Sequence, residues 1–140
     1  MKWKLLIALA SVAFFVGMTI FGTEVKRDKG IGPIKSMPLG KLDMNLAKSG
    51  KNIFDNKCAL CHSLDSKKIG PPLRDISKVE TPEFIMNLLL NTTVMQQQNE
   101  KIKQLIKQYN NILMVDYKLS HNDARSVLEY LRAVTEKKLN

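Results

Sequence analysis

Apolar residues in this chain recur at the three- and four-residue steps of a helix, and strand-like alternation appears nowhere. From Met44, "MNLAKSGKNIFDNKC" sets Leu46, Gly50, Ile53, Phe54 and Lys57 at helical spacing and predicts a helix that ends where Cys58 begins. A loop follows over 64–76, punctuated by Gly70-Pro71-Pro72. Thr81 reads as the cap of a second helix, with Pro82 at its first position, Glu83 in its first turn, and Phe84, Ile85, Leu88 and Leu89 turned inward. A third is predicted over 96–110, with Ile102, Leu105, Ile106 and Tyr109 on one face. Ser120 caps the last, Asp123 stands as its capping-box acid, and Ala124, Val127, Leu128, Leu131 and Val134 form its stripe. Residues 44–140 therefore read as one all-α domain of about four helices. It has few aromatics from which to build a core, and small domains of that kind often need a staple or a cofactor.

Two segments precede it. Lys2 and Lys4 introduce 19 uncharged residues from Leu5 to Thr23. A basic start and an apolar middle mark residues 1–23 as an export signal, cleaved or retained as an anchor. As a helix the run would span about 28 Å against a hydrocarbon core of ~30 Å, and Ile20-Phe21-Gly22 lacks the small residues a cleavage site wants. The reading is a retained membrane anchor, with a soluble exported domain if the leader is removed. Residues 24–43, broken by Gly30, Gly32, Pro33, Pro38 and Gly40, read as a flexible linker with a span of ~25 Å.

The composition is ordinary for a globular protein, but 22 Lys+Arg against 13 Asp+Glu give a net charge of +9. The lysines are scattered and not interleaved with aromatics, which argues against nucleic acid. They suit an acidic partner or an anionic surface.

The chemistry concentrates in "KCALCHS", where Cys58 and Cys61 are the only cysteines and His62 follows directly. A redox C-x-x-C of the thioredoxin type wants a strand before it and a βαβ setting, and here a helix precedes it. A zinc site needs four ligands; the chain offers Cys58, Cys61, His62 and His121, and adjacent ligands at 61 and 62 sit awkwardly on one tetrahedral ion. The third possibility is C-x-x-C-H as an attachment site for c-type haem, with two thioethers to one porphyrin and a histidine beside the iron. That reading uses all three residues, the export signal and the weak core together.

From about Leu46 to Val134 the chain resembles the class I bacterial cytochromes c, through "GKNIFDNKCALCH", "GPPL" and "MVDYKLSHNDARSVLEYLRAV". The resemblance implies a small cytochrome fold around one covalently attached haem c. It implies that Cys58 and Cys61 carry the haem, that His62 is the proximal iron ligand, that the Pro71 carbonyl accepts the bond from the other ring nitrogen of His62, and that Leu73 packs on the haem. It also implies that Gly50 and Phe54 cross Val127 and Tyr130. The same resemblance expects a methionine ligand shortly before the last helix. Met114, six residues before Ser120, has that position, although it lacks the neighbouring proline usual in the family. Met95 and His121 are the competing ligands, an open site is the further possibility, and Met86 reads as core filler. Arg74, Tyr109 and Tyr117 are candidate partners of the haem propionates. The segment 96–111 reads as a wall against one haem edge.

The expected function is one-electron transfer between respiratory-chain components, with no catalytic residues and no small-molecule substrate. Its place would be the outer, periplasmic face of a bacterial inner membrane, and its partners redox proteins with acidic docking surfaces. The alternative is a haem-based gas sensor or small peroxidase, which needs an open or displaceable sixth position.

Overall fold

A computed structural model describes residues 27–139. The expected anchor over residues 1–23 lies outside them. Among the described residues every regular element is helical, and no helix is long and apolar enough to cross a membrane.

Helix α1 (Met44–Ile53) opens on Asp43, whose carboxylate accepts the backbone N–H groups of Asn45 and Leu46. It does not end cleanly before Cys58. It runs on as a π-helical turn over Phe54–Cys58, with the Ala59 N–H reaching back five residues to the Phe54 carbonyl at 2.9 Å. A short α2 (Ile76–Val79) follows the loop. Thr81 caps α3 (Pro82–Leu90), its hydroxyl accepting from the Phe84 N–H at 3.1 Å. Ser120 caps α6 (His121–Thr135), its hydroxyl accepting the Asp123 N–H and donating to the Asp123 carboxylate, which gives one half of the expected capping box.

Where one helix is expected over 96–110, the chain folds two, α4 (Thr92–Gln98) and α5 (Glu100–Gln108). Asn99 divides them. Its backbone is extended, its side-chain oxygen accepts from the Ile102 N–H at 3.1 Å, and its amide donates to Asp28 at 2.9 Å. An Asn followed by Glu100 is an N-cap followed by an acidic first turn, and that local start outcompetes helix continuation.

Helices α1 and α6 make the principal helix–helix contact. Gly50 is the reason they approach so closely, because a Cβ there would meet the Ser126 carbonyl and the Val127 N–H. One turn on, the Phe54 and Tyr130 rings lie 5.2 Å apart at 57°. Ile85, Met86, Leu89, Val127, Leu128 and Leu131 complete the shared core. Glu129 is fully buried on α6, and its charge is met by Arg125 at 2.6 Å, Arg132 at 2.7 Å and the Asp43 N–H at 3.2 Å.

The stretch expected to swing as a linker is held against the domain from Asp28 onward. Its glycines and prolines do deny it helix and strand. Its backbone polar groups nevertheless find side-chain partners on the helices. Buried Asn87 on α3 accepts from the Ile34 N–H and donates to the Lys29 and Ile34 carbonyls, each at 2.9 Å. Glu83 accepts from the Met37 N–H, and Arg132 donates to the Gly40 carbonyl. Gly32 is required because a Cβ would strike the Asn87 amide. The missing periodicity correctly signals irregular backbone, yet irregular backbone pinned by buried amides is not flexible.

Candidate cofactor site

The π turn delivers Cys58 to a tight corner. The N–H groups of Cys61 and His62 both return to the Cys58 carbonyl, at 3.1 and 2.9 Å, so both sulfurs and the imidazole come from one turn of chain. The following loop folds back on it. Gly70 donates to the Cys61 carbonyl at 2.8 Å, Leu73 to Ser63 at 3.0 Å and Arg74 to Leu64 at 3.0 Å. This return brings the Pro71 carbonyl to 2.9 Å from Nδ1 of His62. A carbonyl can only accept, so Nδ1 carries the proton and Nε2 keeps its lone pair for a metal. Gly70 lies flat on the same ring, where a Cβ would collide with its carbon and nitrogen atoms.

Cys58, Cys61, His62, Pro71, Leu73 and Met114 all line one cavity of about 460 Å³. Its remaining walls are mainly apolar and come from the face of α5 that carries Ile102, Leu105, Ile106 and Tyr109, together with parts of α3 and α6. The segment 96–111 is thus a cavity wall, as expected. Met114 belongs to a loop without regular structure, and Gln96 on α4 holds it. The Met114 N–H donates to Gln96 Oε1 at 2.7 Å, and Gln96 Nε2 donates to the Met114 carbonyl at 3.1 Å. Thr93, one turn earlier on α4, donates to Asp116 at 2.7 Å. The Asp116 carboxyl is brought down to about 2, chiefly by the Lys118 ammonium, then by Thr93 and the Lys118 N–H.

The competing ligands lie elsewhere. Met95 is 0% exposed and packs with Phe84 and Ile102, its sulfur accepting from the Ile31 N–H at 3.0 Å. His121 is exposed at the start of α6 and is not part of the cavity wall. Met86 is core, as expected. Arg74 turns away and pairs with Asp65 at 2.5 Å. Tyr109 and Tyr117 do reach the cavity, but each ring carries a lysine ammonium, Lys67 at 4.6 Å and Lys57 at 5.0 Å. Sequence reasoning missed Gln96 and Thr93 as supports. A Gln-Gln-Gln run gives no sign that only its first member faces inward.

The donor set suits haem and suits the other two readings poorly. Among the described residues no group of three or more His, Cys, Asp or Glu side chains could hold a metal ion, which leaves zinc without ligands. Neither cysteine is in a disulfide, and burial pushes the Cys58 thiol up to about 11, the reverse of the activated thiolate of a redox C-x-x-C. A large apolar cavity with two thiols and one oriented imidazole at its edge fits a porphyrin with axial ligation.

Comparison with known proteins decides the matter. The cytochrome c family profile matches residues 47–135. The chain belongs to the cytochrome c family. Cytochrome c from Rhodothermus marinus is 44% identical over 76% of this chain and 91% of its own, with a TM-score of 0.73. An engineered form of that cytochrome, Rma TDE, is 43% identical over 75% and 91% of the two chains, with a TM-score of 0.71. The same engineered protein bound to a carbene intermediate (1-ethoxy-1-oxopropan-2-ylidene) matches at 42% identity, 75% and 91% coverage and a TM-score of 0.68. No curated protein matches the chain. This cytochrome therefore binds one covalently attached haem c and carries electrons, and its two cysteines have the C-x-x-C-H spacing.

Proposed function

We propose that this cytochrome is a six-coordinate, monohaem electron carrier. In it Cys58 and Cys61 would carry the haem through thioethers, and His62 Nε2 and the Met114 sulfur would be its iron ligands. The observation that carries this reading is that His62, its tautomer set by Pro71, and Met114, its backbone gripped by Gln96, border the same apolar cavity. The haem, when bound, supplies one-electron chemistry at its iron. The protein's own part is to fill both axial positions, to keep water away with the α5 wall, and to favour the reduced state through a soft thioether and a low-dielectric shell.

The mouth of the cavity supports redox-protein partners. Ile69, Ile112, Leu113 and Val115 border it and are exposed, and Lys57 and Lys101 line the same cavity, Lys101 paired with Glu80. Apolar contact with surrounding positive charge suits brief docking of an acidic redox protein. The export signal over residues 1–23 supports a place on the periplasmic side of a bacterial inner membrane, anchored there or soluble if the leader is removed. Electron transfer between respiratory-chain components is the role that fits such a position.

The gas-sensor or peroxidase alternative needs Met114 to leave readily, and the two bonds from Gln96 weigh against it. Optical spectra of the haem-loaded protein, oxidised and reduced, with and without carbon monoxide, separate the two. The carrier gives covalent haem, a low-spin spectrum and no change with the gas, and Met114→Ala opens the site to it. Ready binding of carbon monoxide by the unaltered reduced protein would sink the six-coordinate reading.

A further inference from the structure

We propose that Gln96 is a positioning residue which sets how firmly Met114 is held on the iron. The inference rests on the reading of Met114 as an axial ligand. The carboxamide of Gln96 engages both polar groups of one residue's backbone, accepting the Met114 N–H at 2.7 Å and donating to the Met114 carbonyl at 3.1 Å. A single hydrogen bond leaves a peptide free to rotate about it. Two bonds to the N–H and carbonyl of the same residue fix both its place and its direction, as one rung of a β-ladder does. The direction of the backbone in turn fixes where the side chain leaves it.

The Met114 side chain packs on the shared core, but no regular structure holds its backbone. The loop has no helix or strand, and its neighbours Leu113 and Val115 are 64% and 54% exposed. The platform behind Gln96 is firm by contrast. On α4, Met95 is fully buried with Phe84 and Ile102, and buried Thr92 donates to the Leu88 carbonyl at 2.7 Å. Thr93 on the same helix adds the bond to Asp116, two residues beyond Met114. A firmly packed helix thus reaches the loop at two points, and Gln96 is the one that grips Met114 itself, so Gln96 restricts departure of Met114 from the iron.

The test uses the haem-loaded protein as Gln96→Ala, Gln96→Glu and Met114→Ala variants. The readouts are the thioether-to-ferric-iron charge-transfer band, the reduction potential, and carbon monoxide binding by the reduced form. Losing two hydrogen bonds in Gln96→Ala should raise the population with an open sixth position about tenfold, seen as faster carbon monoxide capture, a weaker band and a lower potential. Gln96→Glu keeps an acceptor for the Met114 N–H but sets a charged oxygen against the Met114 carbonyl, so it too should weaken the band and speed carbon monoxide capture, its charge lowering the potential further. A merely structural Gln96 would lower the melting temperature and leave all three readouts where they were, and that result overturns the proposal. If Gln96→Ala fails to fold, Gln96→Glu decides by the same criteria. Retention of the band in Met114→Ala would instead show that the ligand assignment is at fault. A band lost in Met114→Ala but unchanged in both Gln96 variants removes the Gln96 inference alone.

Discussion

On the His62 side of the cavity most supports are local, the long-range exceptions being the bonds between Arg74 and the Val134–Thr135 end of α6. The bonds from Gly70 to Cys61, Leu73 to Ser63, Arg74 to Leu64 and His62 to Pro71 all close within ten residues. On the Met114 side the supports reach 18 and 23 residues, from Gln96 to Met114 and from Thr93 to Asp116, and they come from a helix that must itself be held. That helix is braced by the irregular segment over 28–40, through the Ile31 N–H on Met95 and Asp28 on Asn99. A short loop loses little entropy on closing, whereas the distal flank forms only when three distant pieces of chain are already in place. The two proposed ligands, which border one cavity, can therefore differ in what disturbs them. The proximal one answers to changes nearby, and the distal one to changes in packing far away.

The sharpest way to break this contrast is to attack the local flank where it has no slack. Gly70→Ala places a methyl group in the His62 ring, and the ring is caught between that position and the Pro71 carbonyl. Forcing an atom into a packed site costs about 1–3 kcal/mol, and here the strain falls on the imidazole itself. The expected result is a marked loss of holoprotein, or covalent haem with a spectrum that is no longer low-spin, although the substitution lies 44 positions from Met114. A Gly70→Ala protein with unaltered spectrum and melting temperature would show that the proximal flank yields easily, and the contrast would fail.

The second way disturbs the distal flank from a distance. Asn87 is 1% exposed and holds three backbone groups of the Asp28–Asp43 segment through one side chain. Asn87→Ala orphans the Ile34 N–H and two carbonyls, for an expected loss of about 2–4 kcal/mol. Native-state hydrogen exchange should show protection falling in 28–37 and 92–116 while 58–73 keeps its own. Uniform loss over both flanks would mean that the two are one cooperative unit.

The same division explains what could be read in the sequence. Helices α1, α3 and α6 were legible because their stripes are local signals, as are the caps Thr81 and Ser120, while Asp43, the cap of α1, was equally local and went unread. Cys58, Cys61 and His62 form one compact motif, and the pairing of His62 with Pro71 followed from the family resemblance. The break at Asn99 was also a local signal, outweighed in the periodicity by the apolar face of α5. Gln96, Thr93 and Asn87 gave no sign at all. Each is a polar residue on a helix, and whether such a side chain meets water or a distant peptide is decided by tertiary packing. The 28–40 segment was misread for the same reason, since its partners lie 46 to 92 residues away, on α3, α4, α6 and at Asn99.

The smallest expected effect tests the brace through pH. Glu83 is 8% exposed, accepts from the Met37 N–H at 3.1 Å and faces the Lys29 ammonium at 3.3 Å. Burial alone would push its carboxyl up, but its own N–H, the Met37 N–H and Lys29 together outweigh burial and hold it below the usual glutamate range. A carboxyl lowered in the folded state contributes stability that is fully present above the ordinary glutamate value of about 4.3 and is lost as pH falls through the folded value. Glu83→Gln removes the charge at every pH. The stability gap between the unaltered protein and Glu83→Gln, taken from urea midpoints, should therefore hold steady near neutrality and narrow only in acid, below about pH 4. The proximal flank has no part in this titration, so exchange protection in 58–73 should be the same in both proteins across that range. A gap that stays constant into strong acid would show that the carboxylate adds nothing to the brace beyond what the neutral amide supplies.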